Sequence, residues 1–506
     1  MKIPNAFGGR ATAMDNLFSR LWQLAPRANH LLTAIGQEGV ELIASLLVLV
    51  WVERTYGQQG LGVYAYLTAC LYTVRYLANF GVARHMEIET ARLDDGPHRN
   101  QRIFEGYQAT LFTSLGGALI LLASSGFDAS HTRLHERMAA YIIMALVLPM
   151  ANLNTFKLAV MQGLGQHCRA ARLRMLRHGL ILMAIFFLIR IHVPPSYLLS
   201  GFIFTEMVAG FRIRHHLKIR GFWTAFKQPR MALNTLKQGQ HHLFTDNALD
   251  HLLNIDLFVL GIFVSAWDLG IYAEAAVLVR LFLIISQGIK PILRRQYTLL
   301  AAHQQHQALS ALFRRNSALL FSLQSMLTLV TLLHFPAILD ILFELRGETV
   351  QSFQFFLMFV PGLIFYAVFS AQEPIYEALG QADELKRLTL VTAGFNLLLC
   401  LYLVPAAGSH GAAAATMTTM LIHFFLFGRH LPKGHDIPKS TFLSAGLALY
   451  LVYTLLEALA WSAVVNLCLG LILLLSGFYG CGVFGVTANT EKRRAWGWQR
   501  HYENRS

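Results

Sequence analysis

The sequence predicts an all-α, polytopic membrane protein of about 14 transmembrane helices, built as two pseudo-symmetric six-helix lobes plus a C-terminal hairpin. Three observations carry this prediction: long apolar stretches, a one-sided distribution of Lys and Arg, and an internal repeat. Hydrophobic residues make up 55% of the 506-residue chain and charged residues only 14%. A soluble domain carries about 25% charge, so this chain has too little to cover a soluble surface. A span needs roughly 20 apolar residues to cross about 30 Å of hydrocarbon. Such stretches run over 29–52, 60–82, 104–126, 138–162, 176–192, 195–212, 243–266, 269–291, 316–336, 351–376, 388–405, 409–428, 441–459 and 461–485. Pro194 and Pro195 separate the fifth from the sixth.

Lys and Arg concentrate in cytoplasmic loops, which sets the orientation. With both termini in the cytoplasm, inward segments hold 33 of the 42 Lys and Arg. Outer loops hold 5: Arg54, Arg133, Arg137, Arg190 and Arg346. This asymmetry accounts for the net charge of +14 without a nucleic-acid partner. All 7 tryptophans fall near span ends, where indole is apolar on one side and wet on the other. The expected organisation is a cytoplasmic and interfacial N-terminus (1–28), an N-lobe (29–214) and a basic cytoplasmic linker (215–241). A C-lobe (242–430), an extra hairpin (431–486) and a basic cytoplasmic tail (487–506) complete it. Within the N-terminus, 16–24 reads as a short interfacial helix, and no cleavable signal is evident. The 5 cysteines lack a C-x-x-C spacing, which argues against a disulfide framework or thiolate metal site.

An internal repeat divides the chain. Leu61-Gly62-Val63-Tyr64-Ala65 opens span two, and Leu269-Gly270-Ile271-Tyr272-Ala273 opens span eight, 208 positions later. Leu164-Gly165-Gln166 with Arg172-Leu173 recurs as Leu379-Gly380-Gln381 with Arg387-Leu388, 215 positions later. Both echoes map span n onto span n+6. Six is even, so the lobes share one orientation and form a parallel repeat about an axis along the membrane normal, with sites expected between the repeats.

These motifs, with the D-x-x-x-x-G-x-F run from Asp256 to Phe263, the ALGQ…KR turn leading to Gly394-Phe395-Asn396, and Gly408 followed by Gly411-Ala412-Ala413, carry a family resemblance. Over roughly residues 30–430 the chain resembles the polysaccharide flippases (Wzx type) of the multidrug/oligosaccharidyl-lipid/polysaccharide exporter superfamily. The resemblance implies two six-helix bundles around a V-shaped cavity. It also implies transport of a polyprenyl-diphosphate-linked oligosaccharide, an exopolysaccharide or O-antigen repeat unit, across the bacterial inner membrane by alternating access. Expected partners are the lipid-linked glycan, membrane lipids and glycan polymerase machinery. The hairpin exceeds a twelve-span core and is similar in number to the fourteen spans of lipid II flippases.

Ionisable side chains inside spans are costly, so each is a candidate for function. They are Glu38, Glu41, Arg75, Lys157, Asp246, Asp250, Asp256, Glu274, Arg280, Lys290 and Glu373. Arg280 lies about 15 Å deep in span eight, and Arg75 about 22 Å deep in span two, at 1.5 Å per residue. The repeat maps Arg280 onto Tyr72, three residues from Arg75 and on the same helix face. Two arginines facing a central cleft can hold a diphosphate, because guanidinium forks match phosphate oxygens. Arg75, Arg280, Lys157 and Tyr72 are therefore the substrate-binding candidates. The alternative is structural pairing, Arg280 with Asp256 and Arg75 with Glu41. Lys157 and Lys290 lie near inner span ends and can instead snorkel; for Lys290 the sequence favours that reading. Asp250, Asp256, Asp246 and Glu38 are candidates for binding a coupling proton or sodium ion, with Asp250 first; a helix–helix hydrogen bond is the alternative for each aspartate.

No resident cofactor or metal site is expected: His303 and His306 stand in a polar loop, and neither H-E-x-x-H nor a P-loop occurs. A secondary transporter is thus expected rather than an enzyme. The competing readings are a drug or cation antiporter, which needs a more acidic cavity, and a membrane-embedded glycan polymerase, which needs a long outer loop. The topology is directly testable. Cysteines introduced at Thr55, Ser130 and Ser409 should react with an impermeant thiol reagent on intact cells, and one at Ser310 should not. Labelling at Ser310 would invert every depth given above.

Overall fold

The computed structural model describes residues 8–93, 96–125, 134–216, 229–242, 248–343 and 349–431. The expected hairpin and basic tail lie outside the described residues. Twelve α-helices and two 3-10 turns make up the ordered elements of that region, and no strand occurs among the described residues. Spans one and two belong to α1 (Gly8–Asn79), broken at Gly57, whose φ is 67°. The short helix expected at 16–24 is continuous with span one in this element. Next come α2 (Val82–Arg92), α3 (Pro97–Ser124), α4 (Leu134–Gly163), α5 (His167–Arg190) and α6 (Ser200–His216). Proline at the start of α3 suits a position whose N–H needs no helical partner. Within the linker, α7 (Pro229–Gly239) packs on α2 and α3.

The second half runs through α8 (Ala248–Phe263), α9 (Ala266–Ala302), α10 (His306–Phe343), α11 (Thr349–Ala378) and α12 (Ala382–His430). Ser265 caps α9, accepting from the Asp268 amide at 3.2 Å. Spans eleven and twelve are both in α12, which breaks at Gly408. A Cβ added at Gly411 would overlap the Leu403 carbonyl oxygen, whereas residues eight apart along a continuous helix are about 12 Å apart. The chain therefore doubles back, and the run Gly411 to Ala415 serves close packing, as expected from its small side chains. Where the sequence suggested a loop after 336, α10 continues to Phe343 after a 76° bend between Leu332 and Ala337. Pro336 lies in this break and has no N–H for the helical ladder.

Four described helices are each long and apolar enough to cross a membrane: Pro97–Ser124, Glu136–Gly163, Val350–Ala378 and Ala382–His430. The bent α10 pair adds a fifth if it is one span. Other expected spans, such as those in α5, α6 and α9, carry the charges considered below. The protein is a multi-pass, helical membrane protein.

The repeat is visible in backbone geometry. Gly165 and Gly380 have φ of 76° and 72°, and each closes the preceding helix with the same two bonds. Gln166 N–H donates to Met161 O and Gly165 N–H to Gln162 O, both at 2.9 Å. Gln381 N–H donates to Tyr376 O at 2.8 Å and Gly380 N–H to Glu377 O at 3.1 Å. This is a Schellman end, and a left-handed residue there favours glycine.

The other echo lies where the lobes meet. A Cβ added at Gly62 would overlap the Ala266 carbonyl oxygen, and one at Gly270 would overlap that of Gln58. The offset of 208 that turns Gly62 into Gly270 also turns Gln58 into Ala266. Each glycine thus packs against the turn that is its partner's equivalent, a self-complementary contact like that at a twofold axis. Around it, Arg54 donates to Ile341 O at 2.7 Å and Leu342 O at 3.1 Å. Gln58 of the first half and Ser352 of the second both donate to the buried Glu274 carboxylate. We call this the hinge end and the opposite side the loop end.

Gly62→Ala and Gly270→Ala should each force this seam apart. In a cysteine-free background, a cysteine replacing the buried Leu61 should resist an impermeant maleimide in the parent and react in either variant. Continued protection would show that the seam tolerates a methyl group.

Candidate functional site

Between the lobes lies a cleft enclosing about 710 Å³, including space continuous with solvent. Both halves line it: Ser45, Thr68 and Tyr72 from α1, His178 from α5, Asn254 from α8 and Arg280 from α9. The pair that the repeat equates, Tyr72 and Arg280, thus faces one space. Arg280 donates to Asn254 Oδ1 at 2.8 Å. Arg75 stands behind Tyr72, its guanidinium 5.7 Å from the ring centroid, and donates to Thr155 Oγ1 at 2.7 Å.

The structure redistributes the expected pairs. Asp256 is fully buried and accepts from Tyr272 OH at 2.5 Å, Thr416 Oγ1 at 3.1 Å and the Leu257 amide at 2.6 Å. Hydroxyls therefore hold this carboxylate in place, while Arg280 reaches Asn254. Glu41 lies against His178, with Oε2 and Nε2 3.1 Å apart. Lys157 packs over the Tyr107 ring at 6.0 Å and is not in the cleft lining. Backbone at Asp250 and Glu38 is helical, but their side chains lie outside what the structure describes, as does all of Asp246.

Lys290 requires a correction. Expected to snorkel, it is buried and ion-paired with Glu373, which is buried as well. Arg294 adds a 3.7 Å contact to Glu373 and a second pair with Glu377. Lys290 faces α11 rather than lipid, and a buried ammonium needs a counter-charge.

A second buried pair escaped the sequence reading. Arg177 on α5 pairs with Glu206 on α6, and Asn154 of α4 donates to the same carboxylate at 2.9 Å. The signal was present: Glu206 is the sole acid in the stretch 195–212.

No family model and no curated protein matches this sequence. Solved structures do. "Lipid II flippase MurJ, inward closed conformation" aligns with a TM-score of 0.69, covering 88% of this chain and 96% of that one at 12% identity. An inward-facing multidrug resistance MATE family transporter of the MOP superfamily aligns at 0.62, covering 79% and 98% at 12% identity. A MOP superfamily transporter from Pyrococcus furiosus aligns at 0.53, covering 79% and 94% at 11% identity.

Removing one side of a buried ion pair leaves an uncompensated charge and costs about 3–5 kcal/mol, whereas replacing both sides with apolar groups costs far less. Arg177→Met should therefore lower the melting temperature of the purified protein sharply. The double variant Arg177→Met with Glu206→Leu should recover most of the loss. Equal loss in both would mean that the ions themselves, not their mutual compensation, hold α5 to α6. With the cleft and its walls described, the likeness to flippase and exporter structures at such low identity establishes one thing: this chain has their all-helical, polytopic fold.

Proposed function

We propose that this protein is a flippase that moves a polyprenyl-diphosphate-linked oligosaccharide between membrane leaflets by alternating access. The observation that carries the reading is the inter-lobe cleft, to which the two repeats bring Arg280 and, behind Tyr72, Arg75. A diphosphate supplies the oxygens that guanidinium forks bind best. His178 on the same wall adds a third basic group, and this set disfavours a cationic cargo.

The charge asymmetry of the loops places the loop end in the cytoplasm and the hinge end outside. The Gly62–Gly270 seam then closes the outer face, and cargo enters from within. Transport requires the reverse arrangement, so the seam must open while the loop ends close. Exopolysaccharide or O-antigen units, received in the bacterial inner membrane and passed to a polymerase outside, are the cargo we favour. Asp256 is our choice of coupling group among the expected four. It is buried, held by hydroxyls, and two residues along α8 from Arg280's partner Asn254. Proton or sodium gradients are the candidate driving forces.

Proteoliposomes containing a fluorescent polyprenyl-diphosphate-linked oligosaccharide test this reading. Arg280→Ala and Arg75→Ala should each slow flipping by at least about tenfold, the equivalent of 1.4 kcal/mol, with insertion unchanged. Arg280→Lys should be intermediate because it keeps the charge and loses the fork. Recovery of flipping in the swap Asp256→Arg with Arg280→Asp would reduce Arg280 to a structural partner. Asp256→Asn should remove the response to an imposed ion gradient.

A further inference from the structure

Behind the N-lobe wall of the cleft, arginines outnumber carboxylates. Arg75, Arg174, Arg177 and His178 stand near two carboxylates, Glu41 and Glu206. Glu206 is fully buried and held by Arg177 and Asn154. Glu41 is placed differently. It is half-exposed, one helical turn from Ala44 and Ser45 in the cleft lining, and its carboxylate lies on His178 Nε2 at 3.1 Å. His178 itself lines the cleft, and Arg174 and Arg177 lie within electrostatic reach of Glu41. The group against this imidazole is thus an oxyanion on a half-exposed side chain, at the edge of the space where a cargo oxyanion would arrive.

We propose that Glu41 is a resident counter-ion. It occupies an anion site formed by His178 and the neighbouring arginines while the cleft is empty, and yields that site to the phosphate oxygens of the cargo. The inference rests on the reading of the cleft as a lipid-diphosphate site and adds how that site stays neutral without cargo. A cluster of uncompensated cations within a membrane is costly. A carrier must nevertheless return empty, and Glu41 supplies the missing negative charge for that passage. When the diphosphate binds, one oxyanion replaces another on His178, and Glu41 is released towards the open cleft.

The test uses a farnesyl-diphosphate-linked monosaccharide and the full-length protein in nanodiscs. Glu41→Gln should bind it about fivefold more tightly than the parent, and this gain should vanish when combined with His178→Gln. His178→Gln alone should bind more weakly than the parent, and His178→Arg at least as tightly. A gain from Glu41→Gln that persists without His178 overturns the exchange. Arg280→Ala separates the two ideas. If it loses binding while the His178 and Glu41 variants match the parent, the counter-ion role is wrong and the cleft stands. If no variant changes binding, the cleft reading itself is wrong.

Discussion

The arrangement depends on how closely two turns approach. Gly62 meets the backbone at Ala266 and Gly270 meets the backbone at Gln58, and neither position has room for a methyl group. Helix α1 contributes one turn, and the α8–α9 junction the other. Their contact brings Tyr72 and Arg280 to a common height on opposite walls, because both lie the same distance along their helices from the seam. At the two glycines the packing is backbone on backbone. The hydrogen bonds around it come from Gln58, Ser352 and Arg54, all neutral or exposed at the surface of the seam. The deeply buried ion pairs lie within single lobes.

That division of charge separates structure from function. Arg177 with Glu206, and Lys290 with Glu373, join helices of one lobe and are buried. Breaking them leaves an ion stranded, so they serve a rigid body. Arg280 and His178 line the cleft, with a neutral amide and a half-exposed carboxylate as their respective neighbours. In the reading proposed here, phosphate oxygens take the place of those neighbours. Asp256 belongs to neither set: hydroxyls from α9 and α12 hold it without a cation in hydrogen-bond contact among the bonds described above. Its bonds join α8, α9 and α12 at one point.

Much of the fold was legible in the chain itself. Apolar stretches, basic loops and tryptophan belts follow from the bilayer, which acts on each residue locally and leaves a one-dimensional record. The repeat was legible too, because its glycines are demanded by backbone geometry. Gly165 and Gly380 need a left-handed φ, and Gly62 and Gly270 need empty space. The test for charges inside spans also found Arg75, Asp256, Arg280 and Glu373, and applied to span six it would have found Glu206.

Partnership was not legible. Depth along a helix gives height but not azimuth beyond its own face, and several acids share a height with several cations. Depth matching offered Arg280 with Asp256 and Arg75 with Glu41 as the structural alternative. The packed helices instead set Arg280 on Asn254, Asp256 on Tyr272 and Thr416, and Glu41 on His178. Lys290 has the length to reach the interface, yet it turns to Glu373 because α11 packs along that side of α9. The sequence by itself determined which residues are apolar, which are charged and where glycine is required, since these respond to solvent and backbone sterics. Only the tertiary structure decided which charge meets which, because that depends on the rotation of each helix about its axis, a quantity set by packing against its neighbours.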